Sequence, residues 1–458
     1  MLDRLATSAI PILAGLVTAL VLIGPGREEA ATGARVYGDL RQGAASWALR
    51  VETLAHFAGR YAPEAREIEV RLSAGGELVG AWRGSTDLEG IADAVGPLAR
   101  TVAGPLEVTV RGRGRTLAQG RFGLGAPLAT LPPPGPLDGE THGPLEVSVV
   151  LARGITVPAI AEPLAIEVTV PRSAVAPGSG PGVPPRLSLT ATGAELGSPS
   201  EPTVRGCAEV GCRFAWSVPI MLQAPAAELA VSAGTADGRT GSWQGNVPVA
   251  LGGMWIDPAS VARGALVVRS AVPRQRAYLS LYGTAGRSWG GVALLEALGD
   301  GQAQGSLPLP SLPSGPLLAV VSGDPFEPEL TATGWPLRPE LGSLPLVRPA
   351  LLADGMPVAV QQEQARQTRV RRPACALILA AGVLELAYLW RRHRLGRRRL
   401  GRLQTAAAEA AQDGAKLASL GAPAVPAIAT PIGLWWSIML PLGVALAFLA
   451  LAALTAWG

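Results

Sequence analysis

The sequence predicts a membrane-anchored protein of mixed α+β and all-β class, with an N-terminal helix–strand–strand doublet, two β-sandwiches and three transmembrane helices. Three observations predict it: three long apolar stretches, a doubled pattern in residues 33–125, and period-two alternation over residues 143–340. Of the 458 residues, 48% are hydrophobic and only 16% are charged, whereas soluble domains carry about 25% charged residues. We therefore expect part of the chain to lie in lipid.

The composition also excludes several classes of protein. Lys416 is the only lysine among 39 basic residues, and the net charge is +4, so the chain lacks the overall basic character of a nucleic-acid binder. Three cysteines and three histidines are too few and too scattered for a zinc module. We expect no nucleic-acid partner, no bound metal and no cofactor.

Three apolar stretches have the length of a transmembrane helix, which is about 20 residues: residues 1–24, 373–390 and 434–457. The first could also be a cleaved signal peptide, but its apolar run exceeds the usual length of that class, and we interpret it as a retained anchor. Tryptophans, which prefer the headgroup level, mark the ends of the other two: Trp390, Trp435, Trp436 and Trp457.

Seven arginines directly after the second apolar stretch predict the orientation in the membrane, because positive residues flank the cytoplasmic ends of transmembrane helices. Residues 25–372 are then external, residues 391–433 form a cytoplasmic loop, and the C-terminus is external. The preference for arginine over lysine suggests a bacterium with a GC-rich genome, and hence its inner membrane and periplasm. Contact with anionic lipids is expected from Arg391, Arg392, Arg394, Arg397, Arg398, Arg399 and Arg402.

Residues 33–125 contain a repeat of about 38 positions. The segment IEVRL at 68–72 aligns with LEVTV at 106–110, and each segment follows a stretch whose apolar residues are spaced as on one face of a helix. This pattern predicts a helix–strand–strand unit used twice, which gives a four-stranded antiparallel sheet with two helices. The alternative is a further β-sandwich, in which the apparent helices are strands and loops.

A Pro-rich linker at 126–142 leads into short alternating strands separated by Gly and Pro turns, a pattern that is typical of antiparallel sandwiches. We place two immunoglobulin-like sandwiches at 143–250 and 251–340, followed by a tether at 341–372. The resemblance to immunoglobulin domains concerns the fold only.

Few residues outside these patterns are candidates for a specific role. Cys207 and Cys212 are predicted to form a disulfide in the oxidising external compartment, with two free thiols as the alternative. Glu385 lies within the second apolar stretch, where a charge is costly. It either lies near the headgroups and reaches Arg392, or makes an interhelical or inter-subunit polar contact, or is a proton-linked site. Gly443 and Ala447 form a small-residue pair that would allow close helix packing.

No catalytic constellation is evident. The segment GRSWG around Ser288 matches the nucleophile-elbow pattern, but its flanks alternate like strands, so we interpret it as a β-turn and not as a catalyst. Asp324, Glu327 and Glu329 could bind calcium but are more simply an acidic turn. We therefore predict a non-enzymatic scaffolding subunit of an inner-membrane complex, with other membrane proteins as partners. A periplasmic ligand-binding receptor is the alternative, and a membrane-bound hydrolase is less favoured.

Overall fold

Antiparallel β-sheet dominates the structure, a computed structural model, and helices are few. The chain divides into two compact units. The larger unit comprises Thr32–Ala55 and Tyr61–Met356, and the smaller unit comprises Met1–Ala31, His56–Arg60 and Pro357–Gly458. The described residues are 13–16, 32–57, 60–171, 183–208, 211–250, 252–299, 301–326, 332–418 and 442–453.

Eight consecutive strands open the larger unit: β1 (Thr32–Gly38), β2 (Ser46–Phe57), β3 (Arg60–Pro63), β4 (Glu67–Ala74), β5 (Glu77–Ser85), β6 (Ile91–Pro97), β7 (Leu106–Gly112) and β8 (Arg115–Phe122). They form a first sandwich, with β1, β2, β3 and β6 in one sheet and the order β5-β4-β7-β8 in the other. Trp47, Val70 and Val108 lie in the core between the two sheets and are fully buried.

The two predicted helices of residues 33–125 are wrong, because both segments are strands, β2 and β6. From Trp47 to Val51 every side chain of β2 is at most 5% exposed, on both faces of the sheet. A strand that is covered on both faces loses its period-two pattern, and the spacing of its apolar residues then resembles that of a helix. The four-stranded antiparallel sheet expected from the repeat is present, with Val70 opposite Val110.

Nine strands form the second sandwich: β9 (Glu140–His142), β10 (Glu146–Leu151), β11 (Ala161–Pro171), β12 (Arg186–Thr192), β13 (Ala194–Leu196), β14 (Thr203–Ala208), β15 (Gly211–Leu222), β16 (Ala227–Gly234) and β17 (Thr240–Val247). One sheet has the order β10-β11-β15-β13, with β14 also on β15, and the other has the order β12-β16-β17-β9. Alternate residues such as Ile166, Val168 and Val218 point into the shared core, as the sequence alternation predicts.

Eight strands form the third sandwich: β18 (Met254–Ile256), β19 (Ala265–Ser270), β20 (Arg276–Gly283), β21 (Gly286–Leu294), β22 (Glu296–Ala297), β23 (Ala303–Pro308), β24 (Leu318–Ser322) and β25 (Ala332–Pro336). The sheets have the orders β18-β19-β23-β22 and β21-β20-β24-β25. A short helix, Pro258–Ala262, joins β18 to β19 and is capped by the Asp257 side chain, and a 3-10 turn, Pro339–Leu341, follows β25.

The chain then returns to the first sandwich. Strand β26 (Ala350–Asp354) pairs antiparallel with β1, so that Asp354 lies opposite Arg35. The backbone N–H of Gly355 donates to the carbonyl of Ala34 at 2.8 Å. Met356 is fully buried, and its sulfur atom lies against Gly33. Any side chain larger than hydrogen at position 33 would collide with that sulfur atom. The first and last strands of the larger unit therefore lie side by side.

A 63-residue helix, Met356–Ala418, follows at once, and at 1.5 Å per residue it is about 95 Å long. The expected tether at 341–372 and cytoplasmic loop at 391–433 are therefore helical over residues 356–372 and 391–418. Pro357 is tolerated because it lies in the first turn. Pro373 lies inside the helix, where its ring removes one backbone hydrogen bond, and the helix continues on both sides of it.

Within the part of the chain that the structure describes, one helical segment, Arg371–Ala411, is long and apolar enough to cross a membrane. A shorter apolar helix, Leu442–Ala453, falls inside the third expected span, and only residues 13–16 of the first are described. Three transmembrane helices are thus not established. Contacts among these helices are nevertheless present, because four buried side chains form a small cluster: Ala14, Ile378, Phe448 and Ala452.

Candidate functional site

Asp93 joins two arginines from different sandwiches in a buried cluster. Arg50 lies opposite Asp93 in the β2–β6 pair and donates from Nε and Nη2 to its two carboxylate oxygens at 3.0 and 2.9 Å. Arg287, in β21 of the third sandwich, donates to the same carboxylate at 2.5 Å. The three side chains are between 1% and 6% exposed. The cluster is therefore a desolvated charged contact between the first and third sandwiches.

Backbone and aromatic groups of the third sandwich complete the surroundings of Arg50. Its terminal nitrogens donate to the carbonyls of Pro325 and Leu279 at 3.2 and 3.3 Å, and its guanidinium lies 5.2 Å from the centre of the Tyr278 ring. A cavity of about 20 Å³ lies beside the cluster, lined in part by Tyr37 and Tyr282. Such a volume holds about one water molecule, so the space is too small for an organic ligand.

The pKa of Asp93 lies below its ordinary value. Burial alone would raise it, but the positive charges of Arg50 and Arg287, and the hydrogen bonds that both donate, outweigh the desolvation. A carboxyl group with a lowered pKa stabilises the fold above its unfolded pKa of about 3.9, and this contribution is lost as the pH falls through the folded value. Asp93 is thus a charged structural group at neutral pH.

Because the pKa of Asp93 is lowered by folding, we expect the difference in stability between the wild-type chain and the variant Asp93→Asn to depend on pH. The gap in Tm between the wild-type chain and Asp93→Asn should be largest near pH 7 and should shrink as the pH falls below about 4, because there the carboxylate of the unfolded wild-type chain takes up a proton and the folded state no longer gains from its charge. Thermal unfolding of the full chain in detergent at a series of pH values measures it, with the exposed carboxylate variant Glu296→Gln as control. A gap for Asp93→Asn that stays constant from pH 7 to pH 3 would contradict the assignment.

A second buried ion pair joins the second and third sandwiches. Arg153 donates to both carboxylate oxygens of Glu162 at 2.7 and 2.8 Å and to the carbonyl of Ile256 at 2.6 Å. The indole N–H of Trp255 donates to Glu162 at 2.7 Å, and the guanidinium lies 4.2 Å from the centre of the Trp335 ring. All three guanidinium nitrogens of Arg153 and both carboxylate oxygens of Glu162 therefore have hydrogen-bond partners, as a buried ion pair requires.

These two clusters hold neighbouring sandwiches together, and each carboxylate accepts hydrogen bonds from arginine side chains. Ser288 lies inside strand β21, where its hydroxyl donates to the carbonyl of Leu281 at 3.2 Å, and this is not the strand-to-helix turn of a nucleophile elbow. Asp324 accepts the backbone N–H of Phe326, whereas Glu327 and Glu329 lie outside the described residues.

Cys207 and Cys212 form a disulfide across the β14–β15 hairpin, in which the two residues are direct partners. The bridge closes a loop of only six residues, and the chain-entropy relation gives such a short loop about 2 kcal/mol of stabilisation.

We expect the double variant Cys207→Ser, Cys212→Ser to lose about this much free energy of unfolding, measured by denaturant titration of the full chain in detergent. A reductant should lower the stability of the wild-type chain by a similar amount and leave the double variant unchanged; equal stability of both oxidised proteins would contradict this.

The residues expected near the membrane lie mainly on the long helix. Glu385 is 4% exposed and one of its carboxylate oxygens has no partner among the described residues. Gly443 and Ala447 are exposed, and the helix Leu442–Ala453 instead uses Phe448 for its contact, against Gly382. Trp435, Trp436 and Trp457 lie outside the described residues. The exposed arginines of the run are Arg391, Arg392, Arg394, Arg397, Arg398, Arg399 and Arg402, and Arg394 stacks over Trp390 at 4.2 Å.

No protein-family model and no curated protein matches the sequence. Three solved structures are similar to it. Invasin, a bacterial integrin-binding protein, is 13% identical, with 67% of this chain and 59% of that one covered and a TM-score of 0.17. A glycosyl hydrolase family 2 member from Bacteroides cellulosilyticus is 11% identical, with coverages of 50% and 30% and a TM-score of 0.14, and dimeric latent PorU from Porphyromonas gingivalis is 10% identical, with coverages of 66% and 33% and a TM-score of 0.18. This chain thus spans about three fifths of invasin and a third of the others. Similarity at these TM-scores carries no argument about function.

Proposed function

We propose that the chain is a non-enzymatic accessory or scaffolding subunit of a bacterial inner-membrane complex, which presents its three sandwiches to other proteins in the periplasm. The observation that carries this proposal is the pairing of β1 with β26. Because β1 begins at Thr32 and β26 ends at Asp354, the connections to the N-terminal apolar stretch and to the long helix leave the larger unit from neighbouring strands. Because the chain enters and leaves the larger unit at neighbouring strands, this unit is suited to attachment to a membrane through adjacent helices.

The membrane part of the proposal keeps the three spans at residues 1–24, 373–390 and 434–457. Its support is the apolar helix Arg371–Ala411 together with the contact of Ile378 with Ala14 and Phe448, one residue from each proposed span. The exposed arginine run on the long helix would face the cytoplasm, where each cation near an anionic lipid surface contributes about 1 kcal/mol.

Two features favour a scaffold over a receptor. The cavity at the Asp93 cluster is only about 20 Å³, and a larger groove of about 740 Å³ on the second sandwich is lined by exposed carboxylates, among them Asp138, Glu140 and Glu228. Sites for small ligands are mostly apolar and enclosed. In contrast, buried charge clusters that fix the arrangement of three sandwiches suit a rigid surface for protein contacts.

Copurification tests the proposal. The full chain, tagged and produced at its native level, should be extracted in mild detergent together with other membrane proteins in fixed stoichiometry. The variant Arg153→Met, which disturbs the contact between the second and third sandwiches, should reduce that recovery, while the exposed variant Arg213→Met should not. Recovery of the wild-type chain without any other protein would contradict a scaffolding role.

A further inference from the structure

Strand β12 differs from the other edges of the described sheets. Exposed edges invite pairing with another chain, and proteins usually prevent it with short strands, prolines or bulges. Here β3, β9, β13, β18 and β22 have two to four residues, and the pairings of β5, β8, β14, β21 and β26 contain a register shift. Strands β6 and β25 end in a proline, and backbone of the linker pairs with β10. Among the residues that the structure describes, none of these devices protects β12, whose seven residues pair with β16 without a shift.

The side chains of β12 are equally open to pairing. After Arg186 the strand reads LSLTAT, without charge or proline. Leu187, Leu189 and Ala191 are half-buried at the margin of the second sandwich's core, while the alternate serine and threonine residues are exposed. A strand added beside β12 would therefore need small or apolar residues at every second position and no charge at its centre.

We propose that β12 is the docking edge for a second copy of this chain, which adds its own β12 in antiparallel register about Leu189. In this register Leu187 faces Ala191 of the other copy and Ser188 faces Thr190, so that apolar residues meet apolar residues and hydroxyls meet hydroxyls. Each Arg186 faces Thr192 of the other copy. The two arginines are then six positions apart, about 20 Å, which avoids repulsion between like charges.

The union joins two four-stranded sheets of the order β12-β16-β17-β9 into one of eight strands across a two-fold axis. Such an isologous contact uses the same patch on both copies and closes on itself, so it yields a dimer and not a filament. This inference does not depend on the proposed scaffolding function, because a chain that pairs only with itself would support the dimer and contradict the scaffold.

Single-cysteine cross-linking in membranes tests the register. In a Cys375→Ser background, which removes the free thiol, the variant Leu189→Cys should form a disulfide-linked dimer at least tenfold faster than Arg186→Cys, because only Leu189 faces its own counterpart. Equal rates for the two variants, or no dimer from either, would overturn the proposal.

A second pair of variants guards against local misfolding at Leu189. Ser188→Cys and Thr190→Cys are exposed substitutions, and coexpressed chains carrying one each should cross-link faster than either variant alone, because these two residues face each other in the proposed register. A mixed population that cross-links no faster than the separate variants would reject the register, whatever the behaviour of Leu189→Cys.

Discussion

Replacement of Asp93 by alanine is expected to lower the free energy of unfolding of the larger unit by about 3–5 kcal/mol, the usual cost of removing one partner from a buried ion pair. The substitution leaves Arg50 and Arg287 close together without their shared carboxylate, although both side chains are nearly inaccessible to water. Denaturant titration of the full chain in detergent, followed by tryptophan fluorescence, measures the loss.

The first sandwich offers a matched control. Glu77 pairs with Arg100 at 2.7 Å, but both side chains are more than half exposed, so Glu77→Ala should cost only about 0.2–1 kcal/mol. A triple variant, Arg50→Met with Asp93→Leu and Arg287→Met, removes all three charges and should recover most of the loss. Similar costs for Asp93→Ala and Glu77→Ala would show that the buried cluster is not the contact described above.

Replacement of Arg153 by methionine is expected to cost a similar 3–5 kcal/mol and also to separate the unfolding of the second and third sandwiches. Glu162 would remain buried with only the indole N–H of Trp255 as a donor from this cluster, and the hydrogen bond to Ile256 would be lost. Since that bond crosses between the two sandwiches, calorimetry of the full chain should show one transition dividing into two.

The pair of Arg213 and Glu167, 3.7 Å apart in the second sandwich with an exposed arginine and a half-buried glutamate, provides the comparison. Arg213→Met should change the free energy of unfolding by at most about 1 kcal/mol and should leave the shape of the calorimetric transition unchanged. A single transition in Arg153→Met at nearly the wild-type Tm would contradict the role of the buried pair.

The sequence pattern predicts the sandwiches well where each strand has one buried face, as in the alternation of Ile166 and Val168 in β11. It misleads in β2, because both faces of this strand are buried and Arg50 lies against Leu279 of the third sandwich. No local pattern reveals that long-range contact. The repeat nevertheless predicts the sheet of β4 and β7 correctly, since both strands and their hairpins are local features.

The buried charges of Arg50 and Asp93 are the main feature that the sequence pattern does not predict. Asp93 lies between Ala92 and Ala94 in a short apolar segment, and Arg50 lies between Leu49 and Val51. A charged residue that interrupts an apolar run is the available signal, because such residues are rarely buried unless they are paired. The identity of the partner is not predictable from this signal, since Arg287 lies 194 positions away from Asp93.

Site-specific labelling in sealed cells tests most directly whether the three sandwiches lie outside the cytoplasmic membrane. In the Cys375→Ser background, a cysteine replaces either Gly238, in the exposed turn between β16 and β17, or Gly401, in the arginine-rich part of the long helix. A maleimide that crosses the outer but not the inner membrane should label the first variant in intact cells and the second only after the inner membrane is permeabilised. Labelling of Gly401→Cys in intact cells, or protection of Gly238→Cys, would contradict the account.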